Sequence, residues 1–255
     1  MHRGCMQMRT LPSLLSALTW LACAGPSFAQ AMAPPPPPGW AGSAGAGLAM
    51  TAGNNDTSTV NAAYDLKRDE GGPFVFKSAG LLLYGKTEDV KTSDRLSLDG
   101  RVERKLNDRT SVFGQTQYLR DEFKAIDYLI SPTVGLARIL ARNDRTELSA
   151  DASVGAVWEK NRGLELQTDG AISGGERFTH KITGTAEVTQ KLSALWKTDD
   201  FGDALYVFGA GLAANITAGT QIKVEFLDTY KTRPPLPTVQ KNDIATLVSF
   251  VYKFD

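Results

Sequence analysis

Period-two alternation of apolar and polar side chains constrains this 255-residue chain more than any other feature. Residues 147–158 place Leu148, Val154 and Trp158 on one face of an extended strand and mainly charged or small residues on the other. The same pattern recurs in three further segments, which are 96–106, 221–226 and 244–254. Helical periodicity is not sustained in the part of the chain that carries these segments. The sequence is therefore predicted to be all-β, with one apolar and one polar face on each strand.

The average composition excludes several classes of protein without deciding between a soluble and a membrane location. Basic and acidic residues balance at 28 each, which argues against a nucleic-acid binder. A hydrophobic content of 42% argues against disorder, and the 24 glycines follow no collagen-like period. A mean hydropathy of -0.21 is ordinary for a soluble protein. It is equally what a membrane β-barrel gives, because lipid-facing and lumen-facing side chains cancel in the average.

The first 29 residues have the layout of a secretory signal peptide. Arg3 and Arg9 make the start basic, an apolar stretch follows over 11–24, and small residues at 27–29 precede Gln30. A membrane anchor is the alternative, but about fourteen apolar residues fall short of the roughly 20 that a spanning helix needs. The chain is expected to be exported to the bacterial outer membrane.

Both cysteines, Cys5 and Cys23, lie inside the predicted signal peptide. Cleavage would leave a chain without thiols, which an oxidising compartment does not alter. It would also leave 26 basic and 28 acidic residues, a formal charge of -2. A lipoprotein attached through Cys23 is disfavoured, because Trp20 and Leu21 stand where a leucine and a small residue are usual.

Residues 30–39 are predicted to form a Pro-rich linker, since five prolines run from Pro34 to Pro38. Such a run favours a stiff polyproline II conformation and cannot join a sheet ladder. Docking of a proline-recognition module is the alternative role. A short tract of this kind is typical of a spacer.

The remaining residues, 40–255, are predicted to form an antiparallel up-and-down transmembrane β-barrel. Breaks rich in Gly, Asn and Asp divide this part into twelve strands, with about 18 residues for each strand and its connection. Ten strands is the alternative, because alternation is weakest over 164–181. Short polar breaks alternate with longer connections, which include those predicted at 87–92 and 161–170. This is the asymmetry of an outer-membrane barrel whose short turns face the periplasm.

The strands of a soluble β-sandwich also alternate apolar and polar residues, so strand length and the positions of aromatic residues decide between the two folds. Twelve or more residues per strand exceeds the five or six usual in soluble sheets. Aromatic residues cluster at predicted strand ends, as in the girdles of membrane barrels. Those assigned to a girdle or to the C-terminal strand are Trp158, Trp196, Tyr206, Phe250, Tyr252 and Phe254.

Two stretches carry a resemblance to a known family. They are FGQTQYLRD at 113–121 and ALWKTDDFGD at 194–203. The chain resembles, over roughly 40–254, a bacterial family of unknown function described as salt-induced outer-membrane proteins. The resemblance implies a barrel but supplies no catalytic residues. The C-terminal strand is also similar to the assembly signal of outer-membrane proteins, although Asp255 follows the usual terminal aromatic.

Charged residues on the predicted polar faces are expected to line the lumen. They are Arg95, Asp99, Arg101, Glu103, Glu147, Asp151, Glu187, Lys191, Lys223 and Glu225. At twelve strands the interior can be an open pore or a lattice of ion pairs. The first functional hypothesis is therefore a small-solute channel or porin-like protein. The second is a closed structural or salt-stress-linked barrel.

An outer-membrane lipid enzyme is the third hypothesis, and the weakest. His180 is the only histidine left after cleavage, and it lies beside a predicted short turn rather than near the outer leaflet. Asp199, Asp200 and Asp203 form an acidic loop without the spacing of a known calcium motif. No catalytic residue, metal ligand or cofactor is therefore assigned. The expected partners are membrane lipid, lipopolysaccharide and the assembly machinery, with the barrel as a monomer that binds no nucleic acid.

Overall fold

The computed structural model describes residues 39–51 and 57–254, apart from the side chains of residues 49–51 and 57. The predicted signal peptide and residues 30–38 of the linker lie outside the described residues. The described part contains twelve strands and one short 3-10 helix, η1 (Glu122–Lys124). The strands are β1 (Trp40–Thr51), β2 (Thr57–Asp69), β3 (Phe74–Thr87), β4 (Val90–Lys105), β5 (Thr110–Asp121), β6 (Ile126–Arg142), β7 (Thr146–Asn161), β8 (Leu166–Lys181), β9 (Ala186–Lys197), β10 (Ala204–Asn215), β11 (Thr220–Lys231) and β12 (Asn242–Phe254).

Every strand pairs antiparallel with its neighbours in sequence, and β12 pairs with β1 to close the barrel. The closing pair runs from Gly42 opposite Phe254 to Ala46 opposite Phe250. Closure leaves no sheet edge with unpaired backbone groups, which is the condition for a sheet in lipid. The predicted twelve-strand up-and-down barrel is confirmed, and the alternative of ten strands is wrong. Among the described residues, no helix is long and apolar enough to cross a membrane.

Strand β8 lies in the segment where the alternation of apolar and polar residues is weakest. It pairs with β7 continuously from Leu166 opposite Lys160 to His180 opposite Thr146. Its inward residues include Ser173 and Gly175, so the two faces differ little in polarity. Backbone pairing with two neighbours forms the strand without a clear sequence pattern. The long connection predicted at 161–170 is wrong, because only residues 162–165 separate β7 from β8.

The connections at one end of the barrel, the turn end, contain three or four residues each. Four of them close on a side chain that accepts hydrogen bonds from backbone N–H groups two and three residues ahead. Those acceptors are Asn107, Asn143, Thr183 and Thr217. This is the turn chemistry that Asn and Thr favour, and it explains why these breaks were visible in the sequence.

The other end, the loop end, carries connections from two to ten residues long. The longest is 232–241, whereas β3 and β4 are joined by residues 88–89 alone. The predicted loop at 87–92 is therefore too long. Continued pairing of β3 with β4 across a bulge after Gly85 extends that hairpin. The connections at the loop end are still longer on average than those at the turn end, although the difference in length is smaller than predicted.

The outer face of the barrel presents exposed apolar side chains. Val134 is 64% exposed, and Leu48, Val154, Val248 and Phe250 are similarly open. Apolar side chains exposed to this extent on alternate positions would be unfavourable in water. They match the apolar band that a membrane barrel turns towards lipid.

Candidate functional site

Contacts that cross the barrel identify the inner face of each strand. Arg95 on β4 hydrogen-bonds through Nη1 to the hydroxyl of Thr229 on β11, and Lys231 on β11 reaches Glu159 on β7. These strands are not neighbours in the wall, so the side chains must meet in the lumen. Alternate residues of a strand share a face, which extends the assignment along each strand.

The structure places all ten sequence-predicted lumen charges on the inner face, by this alternation and the strand register. Those on β4 are Arg95, Asp99, Arg101 and Glu103, and those on β7 are Glu147 and Asp151. Those on β9 and β11 are Glu187, Lys191, Lys223 and Glu225. They do not form one cluster. Arg95 lies in the half of the barrel nearer the loop end, and the others lie towards the turn end.

The loop-end half of the lumen is filled by an apolar core. Its members are Leu119, Ile126, Leu129, Val157, Ala171, Leu195 and Leu205, with Val207 packed against them. They come from β5 to β10, so the core rests against one side of the wall. Their burial removes apolar surface from water and holds these strands together at the mouth.

A buried ion-pair network lies beside this core. Nζ of Lys231 donates to Oε1 of Glu159 at 2.7 Å, and Nζ of Lys197 lies 2.8 Å from Oε2 of the same carboxylate. Lys197 also lies 2.9 Å from Asp203, which belongs to the connection between β9 and β10. The side chain of Glu159 is completely buried. Charges this far from water persist only when they are paired, so the network joins β7, β9 and β11 across the lumen.

The short helix η1 covers the mouth from the loop end. Lys124 points into the barrel, where its Nζ donates to the carbonyl of Gln240 at 2.8 Å and lies 2.9 Å from Asp243 on β12. The side chain of Lys124 is 0% exposed. Asp121 caps the helix by accepting from the N–H groups of Phe123 and Lys124, both at 3.1 Å. A three-residue helix thus closes the lumen without a long constricting loop.

Arg95 stands at the boundary between the filled part of the mouth and a remaining cavity. Its guanidinium lies 3.6 Å from Asp121 and contacts Thr229. The cavity measures about 320 Å³ and is bordered by Arg95, Asp121, Thr229 and Asp243, with Phe123 at its rim. It runs along β2, β3, β4, β11 and β12, on the side of the wall that the apolar core leaves free.

Towards the turn end, Arg101 is the centre of a second ion-pair network. It lies 2.7 Å from Glu103 and 3.0 Å from Asp151, and its guanidinium carbon lies 3.5 Å from the ring centre of Phe113. Glu103 also pairs with Lys77 at 2.8 Å. This network spans β3 to β7 along one part of the wall. Because β5 and β6 separate β4 from β7 in the wall, the contact of Arg101 with Asp151 crosses part of the lumen.

The rest of the turn-end half contains a chamber, defined here by its exposed inner-face residues Lys67, Glu147, Arg177 and Lys191. Other inner-face residues of this half are buried, namely Val75, Ala213, Gln221 and Val251. Arg177 and Lys191 lie well inside their strands, so water must enter the barrel to reach them. The lumen therefore has two parts, a hydrated chamber at the turn end and a packed closure at the loop end.

The aromatic residues predicted for the girdle and the last strand all lie on the outer face. Trp196 donates from Nε1 to the Tyr206 hydroxyl at 3.0 Å near the loop end. Tyr252 and Phe254 pack with ring centres 6.4 Å apart near the turn end. Trp158 and Phe250 share this outward orientation in their strand register.

The remaining candidates for chemistry are engaged in other contacts. His180 lies on the outer face, where Nδ1 is 2.9 Å from the Thr146 hydroxyl and the ring stacks on Phe178. Asp200 pairs with Arg233, and Asp203 belongs to the buried network. In the described part of the chain, no group of three His, Cys, Asp or Glu side chains is arranged to hold a metal ion.

Sequence reasoning missed the residues that close the loop end. Glu159, Lys197 and Lys231 stand at even spacings from inner-face residues of their own strands, so alternation could have placed them inside. Their burial could not be read from the sequence. It depends on which strands meet across the lumen. Lys124 belongs to a connection, where alternation gives no information.

These features define a closed twelve-strand barrel of the outer-membrane type, similar in fold to a solved porin. The chain belongs to the family described as "Protein of unknown function, DUF481", whose model matches residues 44–254. No curated protein matches the chain in sequence.

Two solved structures illustrate the likeness in fold. The NanC porin has a TM-score of 0.50 and 11% identity, over 84% of this chain and 99% of that chain. An outer membrane channel from Pseudomonas putida F1 has a TM-score of 0.48 and 11% identity, over 84% of this chain and 95% of that chain.

Proposed function

We propose that the protein resides in the outer membrane and conducts small solutes. The chamber is the wide entrance, facing the periplasm, and the loop end is the constriction. Short turns face the periplasm in barrels of this type, which sets the orientation. The similarity in fold to the NanC porin supports this proposal, because that barrel is named as a porin.

The observation that carries the proposal is the exposure of charged residues deep in the chamber. Arg177 and Lys191 lie on the inner face and remain exposed. A barrel that only anchors or stiffens a membrane gains nothing from a hydrated interior, because buried apolar contacts would stabilise it more. Hydrated inner charges are typical of a path for polar solutes.

The cavity beside Arg95 is the proposed route through the constriction. It lies on the side of the mouth opposite the apolar core, and it is bordered by Asp121, Asp243 and Thr229. Arg95 and Lys124 hold this region through ion pairs with Asp121 and Asp243. Movement of η1 away from β12 would widen the route without breaking the backbone pairing of the wall. Solutes therefore pass when the Lys124 contacts open.

A closed structural barrel, linked to salt or osmotic stress, is the second candidate function. The buried Glu159 network favours it, because ion pairs that join strands across the lumen obstruct the pore. In that case the chamber would be a recess that ends at the closure. Solute flux distinguishes the two candidates.

The proposal includes a role without catalysis or cofactors. The outer-face position of His180, hydrogen-bonded to Thr146, supports this part of it. An N-terminal signal peptide exports the chain, and the assembly machinery recognises the C-terminal strand through its outward aromatic residues. The barrel then contacts phospholipid and lipopolysaccharide as a monomer.

Flux into proteoliposomes tests the proposal. Vesicles containing the folded barrel are mixed with an isotonic solution of a small sugar or amino acid, and swelling is followed by light scattering. The channel predicts swelling faster than that of protein-free vesicles, with a further increase for Lys124→Ala. The matched control is Arg162→Ala, since the side chain of Arg162 meets the same helix through an exposed contact of 3.5 Å with Glu122 and the substitution keeps its backbone hydrogen bond to Ala125. Swelling at the protein-free rate for both the wild type and Lys124→Ala would favour the closed barrel.

A further inference from the structure

Two cations face each other inside the chamber. Arg177 on β8 and Lys191 on β9 are directly opposite in the strand register. Both lie on the inner face, and both are exposed to the hydrated interior. Like charges at directly opposite positions of an antiparallel pair destabilise the sheet. The wall therefore carries a local excess of positive charge.

Neither cation has a carboxylate within ion-pair distance among the described residues. The carboxylates that act on Lys191 over longer distances are Asp65, Asp99 and Glu225. Asp99 accepts a hydrogen bond from Gln115, and Glu225 pairs with Lys223 at 2.7 Å. The contrast with Arg101, which has two carboxylate partners, is clear. Asp65 has no ion pair of its own among the described residues, so it acts on the two cations over a longer distance and balances only part of their charge. An excess of positive charge remains for an ion in solution to balance.

The surrounding wall provides hydroxyl groups and space. Ser149 is directly opposite Arg177 on the β7 side, and Thr189 is two residues from Lys191 on the same face. Gly209 is opposite Lys191 on the β10 side, and a Cβ built there would lie 3.6 Å from Glu225 Oε1. Glycine at this position leaves room beside the lysine, and the carboxylate of Glu225, whose Oε2 accepts from Lys223, borders that room. Cations flanked by hydroxyl donors suit a carboxylate or phosphate oxygen.

We propose that Arg177 and Lys191 form a binding site for small anions, and that anions carrying carboxylate or phosphate groups are the solutes that enter this barrel. The site would raise the local concentration of anions in the chamber and disfavour cations. The passage of those anions through the barrel rests on the proposed channel function. The binding of anions in the chamber does not depend on it.

Two measurements on the full barrel test the inference separately. The first is the reversal potential across a planar bilayer in a KCl gradient, which gives the chloride-to-potassium permeability ratio. The wild type is expected to favour chloride. The double variant Arg177→Gln/Lys191→Gln is expected to lower the ratio by about tenfold, because each charge removed should lower it roughly threefold.

The second measurement is the broadening of the phosphorus NMR line of inorganic phosphate by the barrel in detergent micelles. The double variant should abolish this broadening.

The matched control is Arg104→Gln/Arg138→Gln, which removes two exposed arginines from the outer face near the turn end. It loses the same charge and should leave the permeability ratio and the phosphate line as in the wild type. If the wild type conducts and the two double variants behave alike in both measurements, the anion site is refuted.

A wild type that does not conduct refutes the channel but leaves the site testable. Phosphate broadening that is lost only in Arg177→Gln/Lys191→Gln would then support the anion site. Absence of broadening in the wild type would overturn it.

Discussion

Lys231 on β11 and Glu159 on β7 meet inside the barrel, with Nζ 2.7 Å from Oε1, although three strands separate them in the wall. Both side chains are almost fully buried. The contact exists only when the sheet is closed, because it spans the lumen. It therefore couples the closure of the loop end to the stability of the whole barrel.

Glu159→Gln is expected to destabilise the folded barrel by about 3 kcal/mol, because it removes a close carboxylate partner from two buried lysines and leaves Lys231 with Asp203 at 3.6 Å. Urea unfolding in lipid vesicles, followed by tryptophan fluorescence, measures the free energy of unfolding. Glu225→Gln is the control, since its pair with Lys223 is about one third exposed and is worth less than about 1 kcal/mol. Equal losses for the two variants would contradict a special role for Glu159.

Two serines on the inner face should differ in their reaction with water-soluble thiol reagents. Ser149 lies in the chamber, whereas Ser131 is completely buried beside the closure and donates to the carbonyl of Ala156. A chain that begins at Gln30 has no cysteine, so each Ser→Cys variant of that chain carries one thiol. We expect rapid labelling of Ser149→Cys and labelling of Ser131→Cys at least about tenfold slower, since thiolate reactivity requires access. Similar rates would mean that water reaches both halves of the lumen.

The outer face should tolerate charge only near its ends. Val134→Arg places a charge on the apolar band and is expected to cost about 2–4 kcal/mol of folding free energy in a bilayer. Val90→Arg is the control, because Val90 is equally exposed but begins β4 beside the loop end. Its expected cost is about 0–1 kcal/mol. Equal costs in vesicles would show that the two positions do not differ in membrane depth.

The C-terminal strand should matter for assembly beyond its contribution to packing. Phe254→Ser is expected to lower the amount of barrel in the outer membrane of cells while the purified variant still refolds in detergent. Phe226→Ser is the control, since Phe226 is an outward aromatic on the neighbouring strand. The folded fraction is measured from the difference in mobility between heated and unheated samples. Equal loss in cells for both variants would indicate lost packing instead of lost recognition.

Much of the fold could be predicted from the sequence, because period-two alternation reports the two faces of a strand directly. The outward Val154 and the inward Asp151 follow from that pattern alone. Strand β8 was less certain because its small inner-face residues remove the contrast between faces. The strand order could be predicted because short polar turns make strands that are consecutive in sequence neighbours in the sheet.

The division of the lumen could not be predicted. Whether an inner charge is hydrated, like Lys191, or buried, like Glu159, depends on the strands that face each other across the barrel. Lys124 closes the mouth from a connection whose conformation is set by the cap at Asp121 and by burial of the lysine. Neither the cap at Asp121 nor the burial of Lys124 produces a periodic pattern in the sequence. Sequence reasoning could therefore identify the lining of the lumen but not its closure.

Single-channel recording in planar lipid bilayers is the most direct test of the account, because the central claim is a conducting lumen closed at one end by side chains. The wild type is expected to give small, discrete current steps, and Lys124→Ala is expected to give larger or longer openings. Arg162→Ala should resemble the wild type. Absence of current steps from both the wild type and Lys124→Ala, with the barrel shown to be folded and inserted, would contradict the claim.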